Sequence, residues 1–208
     1  MHVVLFVGFK DSGKDSAAQY LIENYNYRKF SFADALKDCL SAIFVWPREM
    51  LEGTTAESRT WREQVDPWWA ERLGIPHFTP RYAMQYIGTN VFHTHVHKEV
   101  WVLSVEKRLL DLETASKVVF IDGRFPAELS LARKLKGTVL RIRRGLDPEW
   151  YDTARKANFG DPKALETMKE SGIHVSEWAW IGQRVDAIID NDDDLPALYK
   201  KVAKSALH

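Results

Sequence analysis

The sequence predicts an α/β fold in which five parallel strands form a sheet that helices cover on both faces. Short apolar runs alternate with amphipathic helical segments along the chain, and this alternation is typical of strand–helix–strand units in a parallel sheet. The first apolar run, residues 2–7, ends at a glycine and reads as a strand buried on both faces. The predicted strands cover residues 2–7, 29–33, 117–121, 138–142 and 185–189.

The predicted helices follow from apolar residues spaced three or four positions apart. Thr79 and Pro80 mark one helix start, because threonine caps a helix and proline suits the first helical position. The predicted helices cover residues 13–24, 34–45, 80–92, 98–113, 126–135, 148–156, 162–169 and 195–207.

Length and composition favour a single domain, residues 1–208, because 45% of the residues are hydrophobic and can build one packed core. Two segments interrupt the alternation of strands and helices. Residues 46–79 are rich in tryptophan and without a clear period, and we interpret them as an insertion that covers a site. Residues 144–173 are polar with helical fragments, which is typical of a mobile lid.

Charge and cysteine content limit the partners and the compartment. The formal net charge is zero, which argues against stable binding to nucleic acid or to an anionic membrane. Cys39 stands alone, so no disulfide can form within the chain and a reducing compartment fits. No apolar run has the length of a signal peptide core or a membrane span, and we therefore expect the cytoplasm.

The strongest functional signal is a glycine-rich loop at residues 8–16. It matches the Walker A pattern G-x-x-x-x-G-K and lies between the first strand and the first helix. In such a loop successive N–H groups point at phosphate oxygens, and the helix N-terminus adds partial positive charge. Lys14 is expected to bridge the β- and γ-phosphates of ATP. The predicted ATP-binding residues of the loop are Gly8, Lys10, Asp11, Ser12, Gly13, Lys14, Asp15 and Ser16.

Asp15 stands where this motif usually has serine or threonine. A carboxylate can hold Mg²⁺ directly or through water, and Ser16 is the alternative ligand. Asp122 follows the third predicted strand, at the edge where ligands bind in open α/β sheets. Asp15, Ser16 and Asp122 are thus the predicted Mg²⁺ ligands, and the alternative for Asp122 is a carboxylate that caps the next helix.

Several polar residues are candidates for a second, phosphorylated substrate. Arg124 follows Asp122 and can reach a phosphate. Arg81 and Gln85 share a helix face, where an arginine suits a phosphate and an amide suits a base edge. Asp34 and Lys37 lie directly after the second strand. The alternative for both helix pairs is an ordinary solvated face.

Three arginines at the end of the fourth strand, Arg141, Arg143 and Arg144, can clamp a transferring phosphoryl group, and we expect at least one to form a surface ion pair instead. His93, His95 and His97 alternate as in a metal site. Only His93 and His97 would share a helix face, so a polar helix junction is favoured over zinc.

Together these motifs resemble the phage deoxynucleoside monophosphate kinase family, a branch of the P-loop nucleoside monophosphate kinases. The resemblance implies a P-loop kinase fold, ATP as phosphoryl donor, Mg²⁺, a deoxynucleoside monophosphate (dNMP) acceptor, a homodimer, and supply of DNA precursors in the bacterial host cytoplasm. The matching stretches occur in the family's order: Gly8–Ser16, Arg81–Asn90, Trp101, Asp122-x-Arg124, Gly137–Gly145, His174–Glu177 and Asp186–Asp192.

Carried onto this sequence, the resemblance implies that Lys14, Arg124 and Arg144 are catalytic and that Asn191 joins the ATP-binding residues. The implied dNMP-binding residues are Asp34, Lys37, Arg81, Gln85, Arg124 and Glu128. The Gly-Lys-Asp loop is also similar to that of phosphomevalonate kinases, so a kinase with another phosphorylated acceptor is the first alternative. The second alternative is a non-catalytic nucleotide-binding module, although the sequence lacks the N/T-K-x-D guanine motif.

Overall fold

The computed structural model describes residues 1–113 and 115–207. Its five strands form one sheet in the order β2-β3-β1-β4-β5, and every neighbouring pair is parallel. This confirms the predicted sheet. The strands are β1 His2–Val7, β2 Arg28–Phe30, β3 Lys117–Gly123, β4 Thr138–Arg143 and β5 Ala187–Asp190.

The helices lie close to the predicted segments, apart from the region that follows α2. None of those described is long and apolar enough to cross a membrane. In chain order the helices are α1 Lys14–Tyr25, α2 Asp34–Phe44, α3 Ala56–Trp61, α4 Pro67–Leu73, α5 Pro80–Gln85, α6 Val100–Leu109, α7 Pro126–Lys134, α8 Tyr151–Asn158, α9 Pro162–Glu170 and α10 Leu195–Ala206.

The chain forms two compact units. The first unit consists of residues 1–32 and 108–208 and contains the sheet, and the second consists of Ala33–Lys107. In the first unit, Val4 and Phe6 of β1 share a buried core with residues of α1 and α10. Successive side chains of a strand point to opposite faces of the sheet, so Val3 and Val4 face opposite ways. The helix α7 packs against β1 and β4. This packing is close, because a side chain at Gly137 would collide with Val3. Helices therefore cover both faces of the sheet, as predicted.

The second unit is built around aromatic side chains. Phe44 and Trp46 stack with ring centroids 4.6 Å apart, and both are buried. The Trp46 indole Nε1 donates to Asp66 Oδ2 at 2.8 Å, and Trp69 Nε1 donates to the Phe44 carbonyl at 3.0 Å. Trp46 is thus a core residue and the half-buried Trp69 packs against this core, and the indole N–H of each is hydrogen-bonded.

No helix was predicted within residues 46–79, and this was wrong, because the segment contains α3 and α4. Thr55 caps α3 in a reciprocal arrangement with Ser58, and Asp66 caps α4 immediately before Pro67. Helices of six and seven residues are too short to show an apolar period, and their capping residues were the available signal.

The helix predicted from Pro80 continues beyond α5, but with wider π-helical turns over Tyr86–Val96. Gly88 allows close packing here, since a Cβ at this position would lie 2.7 Å from Leu36 Cδ2. The Gly88 carbonyl accepts a hydrogen bond from Trp101 Nε1 at 2.9 Å. Such π-helical turns are rare in proteins and frequently mark functional sites.

The segment predicted to be a lid contains α8 and α9, which pack against each other. Ala154, Ala157 and Met168 are buried. Asn158 Nδ2 donates to the carbonyls of Trp178 and Ile181, each at 2.8 Å, and so ties the end of α8 to the chain before β5. Whether the segment moves stays a prediction.

Candidate active site

The glycine-rich loop turns tightly between β1 and α1 in the first unit. Gly8 has φ +139° and Gly13 has φ +104°, conformations that other residues rarely adopt. A Cβ at Gly8 would lie 2.3 Å from the Ile142 carbonyl oxygen of β4. Glycine at this position therefore lets the loop lie directly against the neighbouring strand.

Lys14, the first residue of α1, folds back over the loop. Its Nζ donates to the carbonyls of Gly8 at 2.8 Å and of Phe9 at 2.6 Å. Burial, followed by repulsion from Arg124, lowers the pKa of Lys14 to about 8. An anion held in the loop would stabilise the charged form of Lys14, so the side chain is suited to a phosphate group.

Backbone donors complete this phosphate-binding geometry. The N–H of Gly13 donates to no residue that the structure describes. The N–H groups in the first turn of α1 have no partner within the helix, and the helix dipole adds partial positive charge there. Lys10 and Asp11 are exposed at the tip of the loop.

Asp122 at the end of β3 is held by two residues that follow β2. Ser31 Oγ donates to Asp122 Oδ2 at 2.6 Å, and the Phe32 N–H donates to Oδ1 at 3.1 Å. Asp15 is exposed in the first turn of α1, and Ser16 is half-buried. Oxygen donors of this kind fit Mg²⁺, which binds through one or two carboxylates and otherwise keeps waters and substrate phosphates.

No cluster of three or more His, Cys, Asp or Glu suited to a metal ion occurs in residues 1–113 and 115–207. His93, His95 and His97 lie near the end of the π-helical segment and belong to no such cluster among these described residues. A Mg²⁺ ion would depend on the phosphates of its nucleotide for part of its coordination.

Arg124 projects from the turn after β3, and hydrogen bonds hold both its backbone N–H and its guanidinium. Its Nη1 donates to Glu177 Oε1 at 2.8 Å and to Ser176 Oγ at 3.2 Å. Glu128 Oε2 accepts the N–H groups of Arg124 at 2.5 Å and of Phe125 at 2.9 Å. Ser176 and Glu177 belong to the matching stretch His174–Glu177, but the sequence predicted no role for either residue.

Glu128 was predicted to bind the dNMP, and in the structure it supports the turn that carries Arg124. Its side chain is buried and caps the start of α7. Burial, followed by the charge of Asp122, raises the pKa of Glu128 to about 8. With its Oε2 occupied by two backbone donors, Glu128 shapes the Arg124 turn.

The three arginines at the end of β4 have different surroundings. Arg141 is buried, pairs with Asp147, and donates to the Tyr151 hydroxyl at 2.9 Å. Arg143 Nε pairs with Asp190 Oδ1 at 2.6 Å. Arg144 is exposed and forms no ion pair with any residue that the structure describes.

Asn191 lies behind the loop, directly after β5. Its side chain is buried, and Nδ2 donates to the Ser12 carbonyl at 2.8 Å. The sequence resemblance implied that Asn191 is one of the ATP-binding residues. In the structure its side chain contacts the loop that is predicted to hold the ATP phosphates.

In the second unit, two of the predicted dNMP-binding residues belong to an ion-pair network. Lys37 Nζ lies 2.9 Å from Glu52 Oε2, and Arg48 pairs with Glu52. Arg48 also lies 2.6 Å from Asp38 Oδ1 and 3.3 Å from Asp34 Oδ1. Sequence reasoning missed Arg48 and Glu52, which follow α2 in a segment without a recognisable pattern.

Arg81 and Gln85 both lie on helix α5, as predicted, and their side chains form few polar contacts. Arg81 Nε is 4.0 Å from Glu63 Oε1, and both side chains are more than one-third exposed. The Gln85 side chain forms no hydrogen bond with the described part of the chain. Both side chains therefore keep their hydrogen-bonding groups available.

A glycine-rich phosphate loop after the first strand of a parallel sheet in the order 2-3-1-4-5, with a lysine folded into the loop, defines a P-loop kinase fold. The sequence is similar to a "Putative deoxynucleotide monophosphate kinase" of Acanthamoeba polyphaga mimivirus, with 29% identity over 154 residues, 69% of this chain and 75% of that protein. This similarity confirms the resemblance predicted from the motifs. No family model matches the sequence.

Two solved structures give the extent of the structural likeness. Dephospho-CoA kinase from Campylobacter jejuni is 14% identical with a TM-score of 0.47, over 98% of this chain and 95% of that one. A gluconokinase from Sinorhizobium meliloti 1021 is 13% identical with a TM-score of 0.42, over 99% and 91% of the two chains.

Proposed function

We propose that this chain transfers the γ-phosphate of ATP to a deoxynucleoside monophosphate, forming ADP and the deoxynucleoside diphosphate. The observation that carries the proposal is the enclosure of Lys14 by the glycine-rich loop, where burial lowers its pKa to about 8. The negative charge of a polyphosphate bound in the loop would stabilise the charged form of Lys14, which burial disfavours. The choice of acceptor rests on the mimivirus relative's name and on the Arg81–Asn90 stretch.

In the proposed reaction an oxygen of the acceptor phosphate attacks the γ-phosphorus in line, and the bond from that phosphorus to the bridging oxygen of ADP breaks. Negative charge spreads over the transferred oxygens, so positioning and electrostatics supply most of the catalysis and no strong base is needed. Lys14 and the loop N–H groups hold the ATP phosphates. Arg124 and Arg144 stabilise the transferring group.

Asp15, Ser16 and Asp122 would hold Mg²⁺ with the ATP. When bound, the ion neutralises charge on the β- and γ-phosphate oxygens. Asp122 is suited to this role because Ser31 and Phe32 fix both of its oxygens in orientation. Such fixed orientation of a ligand by its neighbours is characteristic of metal sites.

For the acceptor, we assign Arg81 to the phosphate and Gln85 to the base edge, because both groups are available for a ligand. Lys37 and Asp34 remain proposed acceptor residues within the Arg48 and Glu52 network. A homodimer and a role in DNA precursor supply are further parts of the proposal.

An acceptor panel tests the proposal. ADP formation from ATP is measured with the four common dNMPs, the matching ribonucleotides, modified-base dNMPs and phosphomevalonate. We expect one or more dNMPs to give the highest kcat/KM, and Lys14→Ala to abolish the activity while Lys204→Ala, an exposed lysine on α10, retains it. If ADP forms only with phosphomevalonate, the first alternative is favoured. If the protein binds ATP but forms ADP with none of the acceptors, the second alternative is favoured.

A further inference from the structure

Asn191 connects the end of β5 to two other parts of the first unit. Its backbone N–H donates to the Arg143 carbonyl at 2.8 Å, so the residue is fixed beside the end of β4. Its side-chain Nδ2 donates to the Ser12 carbonyl at 2.8 Å. Only 4% of the residue's surface is exposed, so water cannot readily replace this hydrogen bond.

The bond to the Ser12 carbonyl fixes more than one atom, because a peptide group is planar and trans. In such a group the C=O of Ser12 and the N–H of Gly13 point in opposite directions. Holding the Ser12 carbonyl on Asn191 therefore turns the Gly13 N–H away from Asn191. That N–H has no partner in the described chain, as expected of a donor kept for a ligand.

The Ser12–Gly13 peptide needs such a restraint, since glycine has an unusually free backbone. Gly13 has φ +104°, and a Cβ there would lie 2.3 Å from Asn191 Nδ2. The close approach of the amide thus requires glycine, and glycine in turn allows the peptide to rotate. The Ser12 carbonyl accepts no other hydrogen bond from the described residues.

The geometry points to Asn191 as a positioning residue that holds the Ser12–Gly13 peptide with its N–H directed at the phosphates of the bound nucleotide. This inference rests on the proposed nucleotide site, but it concerns binding and not transfer. It also specifies how Asn191 would contribute to ATP binding, namely through the loop. ADP is therefore a suitable probe, since its binding can be measured without any acceptor.

The test compares Asn191→Asp with a matched variant, Asn158→Asp. Each replaces an amide that donates to backbone carbonyls by a group of the same shape that, when ionised, only accepts. We expect Asn191→Asp to weaken ADP binding by about 5- to 150-fold, as for loss of one buried hydrogen bond. Asn158→Asp should lower the melting temperature but leave ADP affinity within about twofold.

Steady-state kinetics add a readout that a purely structural role would not move. In Asn191→Asp, KM for ATP should rise while KM for the acceptor stays close to the wild-type value. A folded Asn191→Asp protein with wild-type ADP affinity would overturn the inference. So would equal losses of ADP affinity in the two variants.

A measurement on the wild-type protein covers the case in which Asn191→Asp does not fold. The Gly13 amide resonance, followed by NMR, should shift strongly on addition of ADP and become protected from hydrogen exchange. An unperturbed Gly13 amide at saturating ADP would overturn the inference. Wild-type protein that shows this shift but phosphorylates no acceptor would refute the proposed function and leave the role of Asn191 intact.

Discussion

The guanidinium of Arg124 lies against the carboxylate of Glu177, with Nη1 2.8 Å from Oε1. The two side chains are 43% and 31% exposed, so the pair contributes little to the stability of the fold. Its effect is local. Arg124 and Glu177 are both close enough to Lys14 to influence its pKa, in opposite directions, and the pair therefore fixes a second cation near the phosphate loop.

Replacing Glu177 by Gln should impair catalysis more than stability. We expect a change of at most ~1 kcal/mol in unfolding free energy, as for an exposed ion pair. Arg124→Ala should lower kcat by about 10²- to 10³-fold, the effect of losing one group that stabilises transition-state charge, and Glu177→Gln should show a smaller loss. Urea unfolding and steady-state kinetics provide the measurements, with Glu166→Gln, an exposed residue of α9, as the control. Unchanged kinetics in Glu177→Gln would contradict this role.

ATP binding should take up a proton at alkaline pH. The pKa of free Lys14 is lowered to about 8, so around pH 9 most of the free protein carries a neutral lysine. Bound phosphates would raise this pKa again, and ATP affinity should therefore fall as the pH rises above about 8. Titration calorimetry in buffers of different ionisation enthalpy counts the protons, and Lys14→Ala is the control. Equal proton uptake by wild type and Lys14→Ala would rule out Lys14 as the source.

The pH dependence of stability should contain a contribution from Glu128. Its pKa is raised from 4.5 to about 8 in the folded protein. Between these two values the folded state retains a proton that the unfolded state has lost, so this contribution to stability decreases as pH rises through that window.

Glu128→Gln removes this titration, and its side-chain oxygen can still accept the two backbone N–H groups. The stability of Glu128→Gln relative to wild type should therefore increase between about pH 5 and about pH 8.5. Thermal melts across that range measure the difference. A difference that does not vary with pH would show that Glu128 titrates normally.

Arg81 and Gln85 should have separable effects on acceptor choice. The guanidinium suits a phosphate that every dNMP carries, so Arg81→Ala should weaken all dNMPs by a similar factor. An amide offers one donor and one acceptor to a base edge, so Gln85→Ala should change the base preference by about 5- to 150-fold. The measurement is kcat/KM for four dNMPs in each variant, with Glu63→Gln as the matched control for loss of the long contact to Arg81. A uniform loss in Gln85→Ala would contradict the assignment to a base edge.

Local features of the chain were predictable from the sequence, and contacts between distant segments were not. The strand, loop and helix around Gly8 and Lys14 could be predicted because apolar runs and glycine spacing are local signals. The amide of Asn191 reaches Ser12 across 179 positions, and Arg124 meets Glu177 across 53. No periodicity in one sequence encodes such pairs.

Carboxylates were a second source of difference between the sequence-based predictions and the structure, because a sequence does not distinguish a capping carboxylate from a ligand-binding one. Glu128 was predicted to bind the dNMP, whereas its burial and its two backbone donors show a helix cap. Asp34 and Lys37 were correctly placed on α2, but their partners Arg48 and Glu52 come from the chain that follows. Burial and partner identity decide between the two roles, and both depend on the tertiary structure.

The most direct test of phosphoryl transfer to a dNMP follows the γ-phosphate itself. ATP labelled with ³²P in the γ-position is incubated with the wild-type protein, Mg²⁺ and each dNMP, and the products are separated. We expect the label in the β-phosphate of the deoxynucleoside diphosphate, in one-to-one ratio with ADP. Label released only as inorganic phosphate, or retained in ATP with every dNMP, would contradict the proposed function.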